Sequence, residues 1–94
     1  MKKKAATKDE LAHMEATKRL PCCICGKPGP SATHHTGIKM GLAKNHYSVV
    51  PLCFSHHQGE TGFHTLGRKA FERLHATTEE QMVLKTEGML YDLS

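Results

Sequence analysis

Pro21-Cys22-Cys23-Ile24-Cys25 and, further along the chain, Leu52-Cys53-Phe54-Ser55-His56-His57 are the stretches that decide this fold. Cys22 and Cys25 have the two-residue gap of a zinc knuckle, and Cys53 and His56 have the same gap. Together they supply three thiolates and one imidazole, the donor set of a closed tetrahedral zinc site. Such a site ties the start of the domain to its centre. Cys23 is the odd thiol. It can stand in for Cys22, but a Cys-x-Cys bite is less usual, so a small buried thiol is the expected role.

The need for such a tie follows from size. Ninety-four residues make one small domain with no Trp, three Phe and two Tyr, and a core that small is marginal without a staple. Metal binding supplies folding free energy directly. Disulfides are the competing staple. However, Met1-Lys2-Lys3-Lys4 leads into a polar stretch rather than an apolar leader, so the expected setting is cytosolic, where paired cysteines favour metal. No apolar run is long enough for a membrane span, and no membrane partner is expected.

Charge is uneven. Residues 1–50 carry nine Lys/Arg against three Asp/Glu, whereas residues 51–94 carry four against six. The basic half suits a polyanion such as nucleic acid, although a solvated basic face has the same composition.

The pattern predicts an α+β domain over 8–94 behind a disordered basic tail at 1–7. A helix is expected over Lys8–Leu20, with Leu11, Met14 and the stem of Lys18 on one face and Pro21 as its stop. A strand over Ala32–Thr36 carries His34-His35, Gly37–Asn45 reads as a loop, and Tyr47–Leu52 is the best strand candidate. Pro51 confines that strand to an edge or an exit. Gly59 and Gly62 keep His57 and His64 off one unbroken helix. Thr65–His75 reads as a helix burying Leu66, Ala70, Phe71 and Leu74. Thr77 or Thr78 caps a last helix with Glu79, Glu80 and Gln81 in its first turn and a rough apolar face of Met82, Leu84, Met89 and Leu90.

The remaining histidines carry the second half of the reading. Consecutive strand residues point to opposite faces, so His34 can ligate a metal while His35 faces a substrate as general base. His57 and His64 complete a three-imidazole set with His34. Three neutral ligands leave positions open for a phosphate and a water, the arrangement a hydrolytic metal site requires. His13 and His75 read as ordinary surface or core residues.

Taken together, the Cys-x-x-Cys, His34-His35, the glycine-containing loop, His46-Tyr47, Val50-Pro51-Leu52-Cys53-x-x-His56-His57, His64-x-x-Gly67 and Phe71-Glu72 resemble small phage HNH endonucleases. The likeness is greatest to the Ref group of RecA-dependent, recombination-associated nucleases and covers Leu11 to Arg73. The resemblance implies a zinc-stabilised ββα-metal fold, treble-clef-like, with flanking helices. It also implies DNA phosphodiester hydrolysis in the cytoplasm of a bacterial host, with DNA and a recombinase filament as partners. By carry-over, Cys22, Cys25, Cys53 and His56 match the structural zinc positions. His35 matches the general base, and His34, His57 and His64 match the catalytic-metal ligands. The second metal is Mg2+, Mn2+, Zn2+ or nickel: three histidines favour the softer ions, cellular abundance favours magnesium. The middle residue of the His-Asn-His motif has three candidates, His46, Ser48 and Asn45, of which His46 is preferred. His64 lies further from His57 than in compact members.

Lys39, Lys44, Arg68 and Lys69 are the expected phosphate contacts, giving salt-sensitive binding without base specificity. The alternative is a non-catalytic zinc module that binds DNA or protein, with the extra histidines closing a second structural site. A zinc deaminase reading of His13-x-Glu15 and Pro21-Cys22-x-x-Cys25 fails, because only five residues separate Glu15 from Pro21. The sequence leaves the oligomeric state open, along with whether the DNA is single-stranded, duplex or branched.

Overall fold

The computed structural model describes residues 7–36, 39–40, 43–44 and 48–93. Helix α1 spans Lys8–Lys18 and starts at Thr7, one residue inside the expected disordered tail; residues 1–6 lie outside the described residues. Thr7 makes a reciprocal capping box: the Glu10 amide donates to its hydroxyl at 3.1 Å, and its own amide donates to the Glu10 carboxylate at 2.8 Å. The buried face of α1 is not the apolar one the sequence suggests. Leu11 is exposed, and Thr17 is the residue fully buried, its hydroxyl donating back to the His13 carbonyl at 2.8 Å. The helix ends before Pro21, as expected from the restriction proline places on its predecessor. The chain then turns back, with the Ser31 amide donating to the Lys18 carbonyl at 2.7 Å and its hydroxyl to that of Leu20 at 2.8 Å.

Strands β1 (Ala32–His35) and β4 (Val49–Leu52) form an antiparallel pair in which His34 faces Val50 and Thr33 faces Pro51. This pairing sets the two faces of the sheet. Directly opposed residues share a face, so Ala32, His34, Val50 and Leu52 line one side and Thr33, His35, Val49 and Pro51 the other. Thr33 reaches α1, where its hydroxyl donates to the Met14 carbonyl at 3.3 Å. Val50 and Leu52 join Cys22, Cys23, Cys53, Phe71 and Met82 in the core. Pro51 fits because its backbone points away from β1. Its carbonyl accepts the Cys23 amide at 3.0 Å, so the missing N–H removes no ladder bond and the cysteine knuckle docks along that edge.

Where the sequence predicts a plain loop over 37–45, β2 (Lys39–Met40) and β3 (Ala43–Lys44) pair as a second two-stranded sheet. After β4 come two helices of four residues each, α2 (Phe54–His57) and α3 (Phe63–Leu66). They are separate, as the intervening glycines predict. A Cβ on Gly62 would stand 2.8 Å from the Gln58 nitrogen and the His57 carbonyl carbon; only glycine lets that turn close onto α2.

The expected helix over Thr65–His75 is broken at Gly67, whose φ of 82° lies outside the range comfortable for other residues. Helix α4 is therefore Arg68–His75. Of its expected apolar face Phe71 alone is fully buried; Ala70 and Leu74 are exposed. Helix α5, Glu79–Leu93, is capped by Thr78, whose hydroxyl accepts the Gln81 amide at 3.1 Å. It buries Met82 and Thr86, whereas Leu84 is exposed. Lys85 reaches back to the knuckle, its Nζ donating to the Cys23 carbonyl at 2.8 Å. The described part is thus an α+β arrangement that gathers Cys22, Cys25, Cys53 and His56 into one group and His34, His57 and His64 into another. No helix among the described residues is long and apolar enough to cross a membrane.

Candidate metal centres

Cys22 and Cys25 sit on a tight loop in which the Gly26 amide donates to the Cys22 carbonyl at 2.8 Å and the Cys22 amide to that of Lys27 at 2.9 Å. Cys53 is the N-cap residue of α2, and His56 lies one turn on. Their ligand atoms all fall within 4.8 Å of one another. Cys25 Sγ is 3.8 Å from Cys53 Sγ, Cys22 Sγ is 3.7 Å from His56 Nδ1, and Cys53 Sγ is 3.2 Å from the same nitrogen. Zinc bond lengths imply tetrahedral edges of about 3.8 Å between sulfurs and about 3.6 Å from sulfur to nitrogen. The cluster therefore has the size and donor chemistry to hold one metal ion. None of the four cysteines is in a disulfide.

The thiols conflict with one another in the absence of a cation. Burial raises the Cys22 pKa, but backbone hydrogen bonds at Cys53, Cys25 and Ile24 outweigh it, and the net shift is downward. At Cys25 a backbone hydrogen bond from Lys27 favours the thiolate, yet burial and the sulfurs of Cys22 and Cys53 together push the pKa up. A bound cation removes that competition by stabilising all the thiolates at once. Cys23 stands apart from the cluster. Burial, reinforced by the charge of Cys22, pushes its thiol up to about 12, which suits the core role expected of it.

A second group lies beside the first. His34 comes from the core face of β1, His57 from the end of α2 and His64 from α3, and one ring nitrogen from each falls within 4.8 Å of the others. His57 Nε2 and His64 Nε2 are 2.9 Å apart. The ring of His34 lies 5.4 Å from each of the other two, nearly edge-on. His34 is buried and His64 exposed, so the group opens from core to solvent. Phe63 floors it, 4.3 Å from the His34 ring and 5.2 Å from Phe71. Among the described residues no further Cys, His, Asp or Glu joins this trio.

Burial, and then repulsion from His64, lowers the His57 pKa; burial, and then His75, lowers that of His56. Both rings thus favour the neutral form that metals require. The unfolded chain binds more protons than the folded one as pH falls past the ordinary histidine value of about 6.5, so acid works against the fold. Stability is expected to be level above that pH and to decline below it, with protons displacing metal in the same direction. Thermal melts between pH 8 and pH 5 check this; a melting temperature that rises on acidification contradicts it.

The other expected site residues fall differently. His35 is half-buried with its Cβ on the face opposite His34 and is not one of the convergent trio. His46 lies outside the described residues, and so does Asn45; Ser48 is buried, its carbonyl accepting the Thr36 amide at 3.0 Å. Lys39 and Lys44 are directly opposed in the β2–β3 pair. Arg68 and Lys69 are exposed in the first turn of α4, just after the helix that carries His64. His75, read from sequence as an ordinary residue, packs against His56 with ring centroids 5.0 Å apart. Its position one turn after Phe71 was the only signal that could have placed it there. No family model matches the chain, and no curated protein matches it.

Proposed function

We propose that this protein is a metal-dependent HNH endonuclease that hydrolyses DNA phosphodiester bonds. The observation that carries the reading is the convergence of His34, His57 and His64 from three separate elements, with His35 next in sequence yet outside the trio. The antiparallel β1–β4 pair followed directly by α2 is the order expected of a ββα-metal fold. In this reading Zn2+ at Cys22, Cys25, Cys53 and His56 is purely structural, because four protein donors close the coordination sphere.

The three-histidine group would hold a second divalent ion, Mg2+, Mn2+ or Zn2+. When bound, such an ion stabilises negative charge on the scissile phosphate and on the departing oxygen. The chain's own residues supply the rest. His35, neutral, accepts a proton from the attacking water as the new P–O bond forms and the bond to the leaving oxygen breaks. In this reading Arg68 and Lys69, exposed in the first turn of α4, contact adjacent phosphates, joined by Lys39 and Lys44 of the β2–β3 pair. The recombination-linked subgroup adds a recombinase filament on the DNA as partner.

The test is cleavage of single-stranded and supercoiled DNA with Mg2+ or Mn2+, with and without a recombinase filament. General-base catalysis contributes about 10²–10⁴-fold, so His35→Ala is expected to lose that much while remaining folded. Binding without cleavage under every condition would instead identify a zinc-binding module, the reading favoured by the closed Cys3His cluster taken alone.

A further inference from the structure

We propose that His75 is a positioning residue for the three-histidine group, acting through the turn that separates His57 from His64. The proposal rests on the reading of that group as a metal site. His57 and His64 are carried by α2 and α3, four residues each, and helices so short have little stability of their own. Their relative placement depends on the turn over 58–62. That turn is wound tightly onto α2: the Gln58 and Gly59 amides both donate to the Phe54 carbonyl, at 2.8 and 3.0 Å, and the Gly62 amide to that of Gly59 at 2.9 Å. The Gln58 carbonyl of the turn accepts the Thr65 hydroxyl of α3 at 3.3 Å, and the Thr61 carbonyl is held from α4. His75, in the last turn of α4, donates its Nε2–H to the Thr61 carbonyl oxygen at 3.1 Å.

The same imidazole is itself fixed. Its ring is edge-on to His56 at 5.0 Å, with an interplanar angle of 80°, and lies 4.4 Å from the ring of buried Phe71. His75 therefore links three things at once: the ligand His56 of the cysteine cluster, the core through Phe71, and the turn that sets the spacing of His57 and His64. Groups that orient ligands without touching the metal typically change metal affinity about 10–100-fold when lost. The bond to Thr61 acts one step further from the ligands, and an effect of about tenfold is expected.

The experiment loads the full chain with one equivalent of Zn2+ and titrates it with Co2+ by calorimetry and visible absorption. Absence of a thiolate-to-cobalt charge-transfer band reports that the cysteine cluster keeps its zinc. His75→Phe retains the ring packing on His56 and Phe71 but cannot donate to Thr61. It is expected to weaken cobalt binding about tenfold with unchanged zinc content and melting temperature, and His75→Gln, which keeps an N–H donor, is expected to recover most of the loss. Wild-type cobalt affinity in His75→Phe overturns the proposal while leaving the metal site standing. Loss of zinc from the cysteine cluster in His75→Phe also overturns it, placing His75 in the structural site. Failure of the wild type to take up cobalt beyond its zinc removes the three-histidine metal reading and the proposal with it.

Discussion

Cys25→Ser is expected to abolish cooperative folding, or to leave a protein that has lost its zinc and melts far below the wild type. The size of the effect follows from what the core contains. Of the nine buried hydrophobic residues among those described, three are cysteines, and two of those, Cys22 and Cys53, belong to the candidate metal cluster. Without the ion, the knuckle keeps the Cys23 amide on the Pro51 carbonyl of β4, the Lys85 ammonium of α5 on the Cys23 carbonyl, and the packing of Cys22 and Cys23 in the small core. Structural zinc in small domains has an apparent binding free energy of about 10–16 kcal/mol, against total stabilities of about 5–15 kcal/mol. Losing even part of it exceeds what the apolar core can offset. Cys25 is the informative position because it is exposed; serine there removes a ligand without leaving a cavity or burying a hydroxyl. Circular dichroism melts and zinc content, with a strong chelator on the wild type as the parallel arm, read the result. A Cys25→Ser protein with wild-type zinc and an unchanged melt would refute the structural-site assignment.

Ligand geometry also explains which features the sequence made legible. The cysteine cluster follows from ligand chemistry: soft donors in pairs, each with a gap a tetrahedral ion can span, constrain the chain whatever the helices do. The separation of His57 from His64 was likewise legible, because Gly59 and Gly62 interrupt any helix between them. Reasoning from apolar periodicity fared less well. It predicts Thr65–His75 as one helix with Leu74 inside, whereas Gly67 takes a positive φ and Leu74 faces solvent. It places Leu11 on the inner face of α1, where Thr17 is the buried residue. Periodicity reports a buried face only when apolar burial is what holds an element in place. Here α1 meets the sheet through polar contacts, Thr17 buried and the Thr33 hydroxyl on the Met14 carbonyl, and α4 through Phe71 alone of its expected face, so the pattern had little to act on. The placement of His75 is not legible from local pattern, since its partner is a carbonyl fourteen residues away.

His57→Ala is expected to eliminate DNA cleavage, by about a thousandfold or more, in a protein that folds normally and keeps its structural zinc. Charge stabilisation by a bound metal is worth several kcal/mol in the transition state, and each 1.36 kcal/mol is a factor of ten in rate. The fold is expected to survive because His57 is only half-buried, makes its contacts within the trio with His34 and His64, and occupies a helical position that alanine suits. His56, the preceding residue, should behave in the opposite way. Its Nδ1 lies 3.2 Å from Cys53 Sγ and 3.7 Å from Cys22 Sγ, so His56→Ala removes a donor from the cluster that holds the knuckle to α2. Under the proposed function, two consecutive histidines on one turn of helix would divide stability from catalysis, His56 turned to the sulfurs and His57 to the imidazoles. Cleavage, zinc content and melting temperature measured on both variants test the division. If His57→Ala melts the domain as His56→Ala does, the two groups are one structural unit, and the convergence of His34, His57 and His64 serves folding rather than hydrolysis.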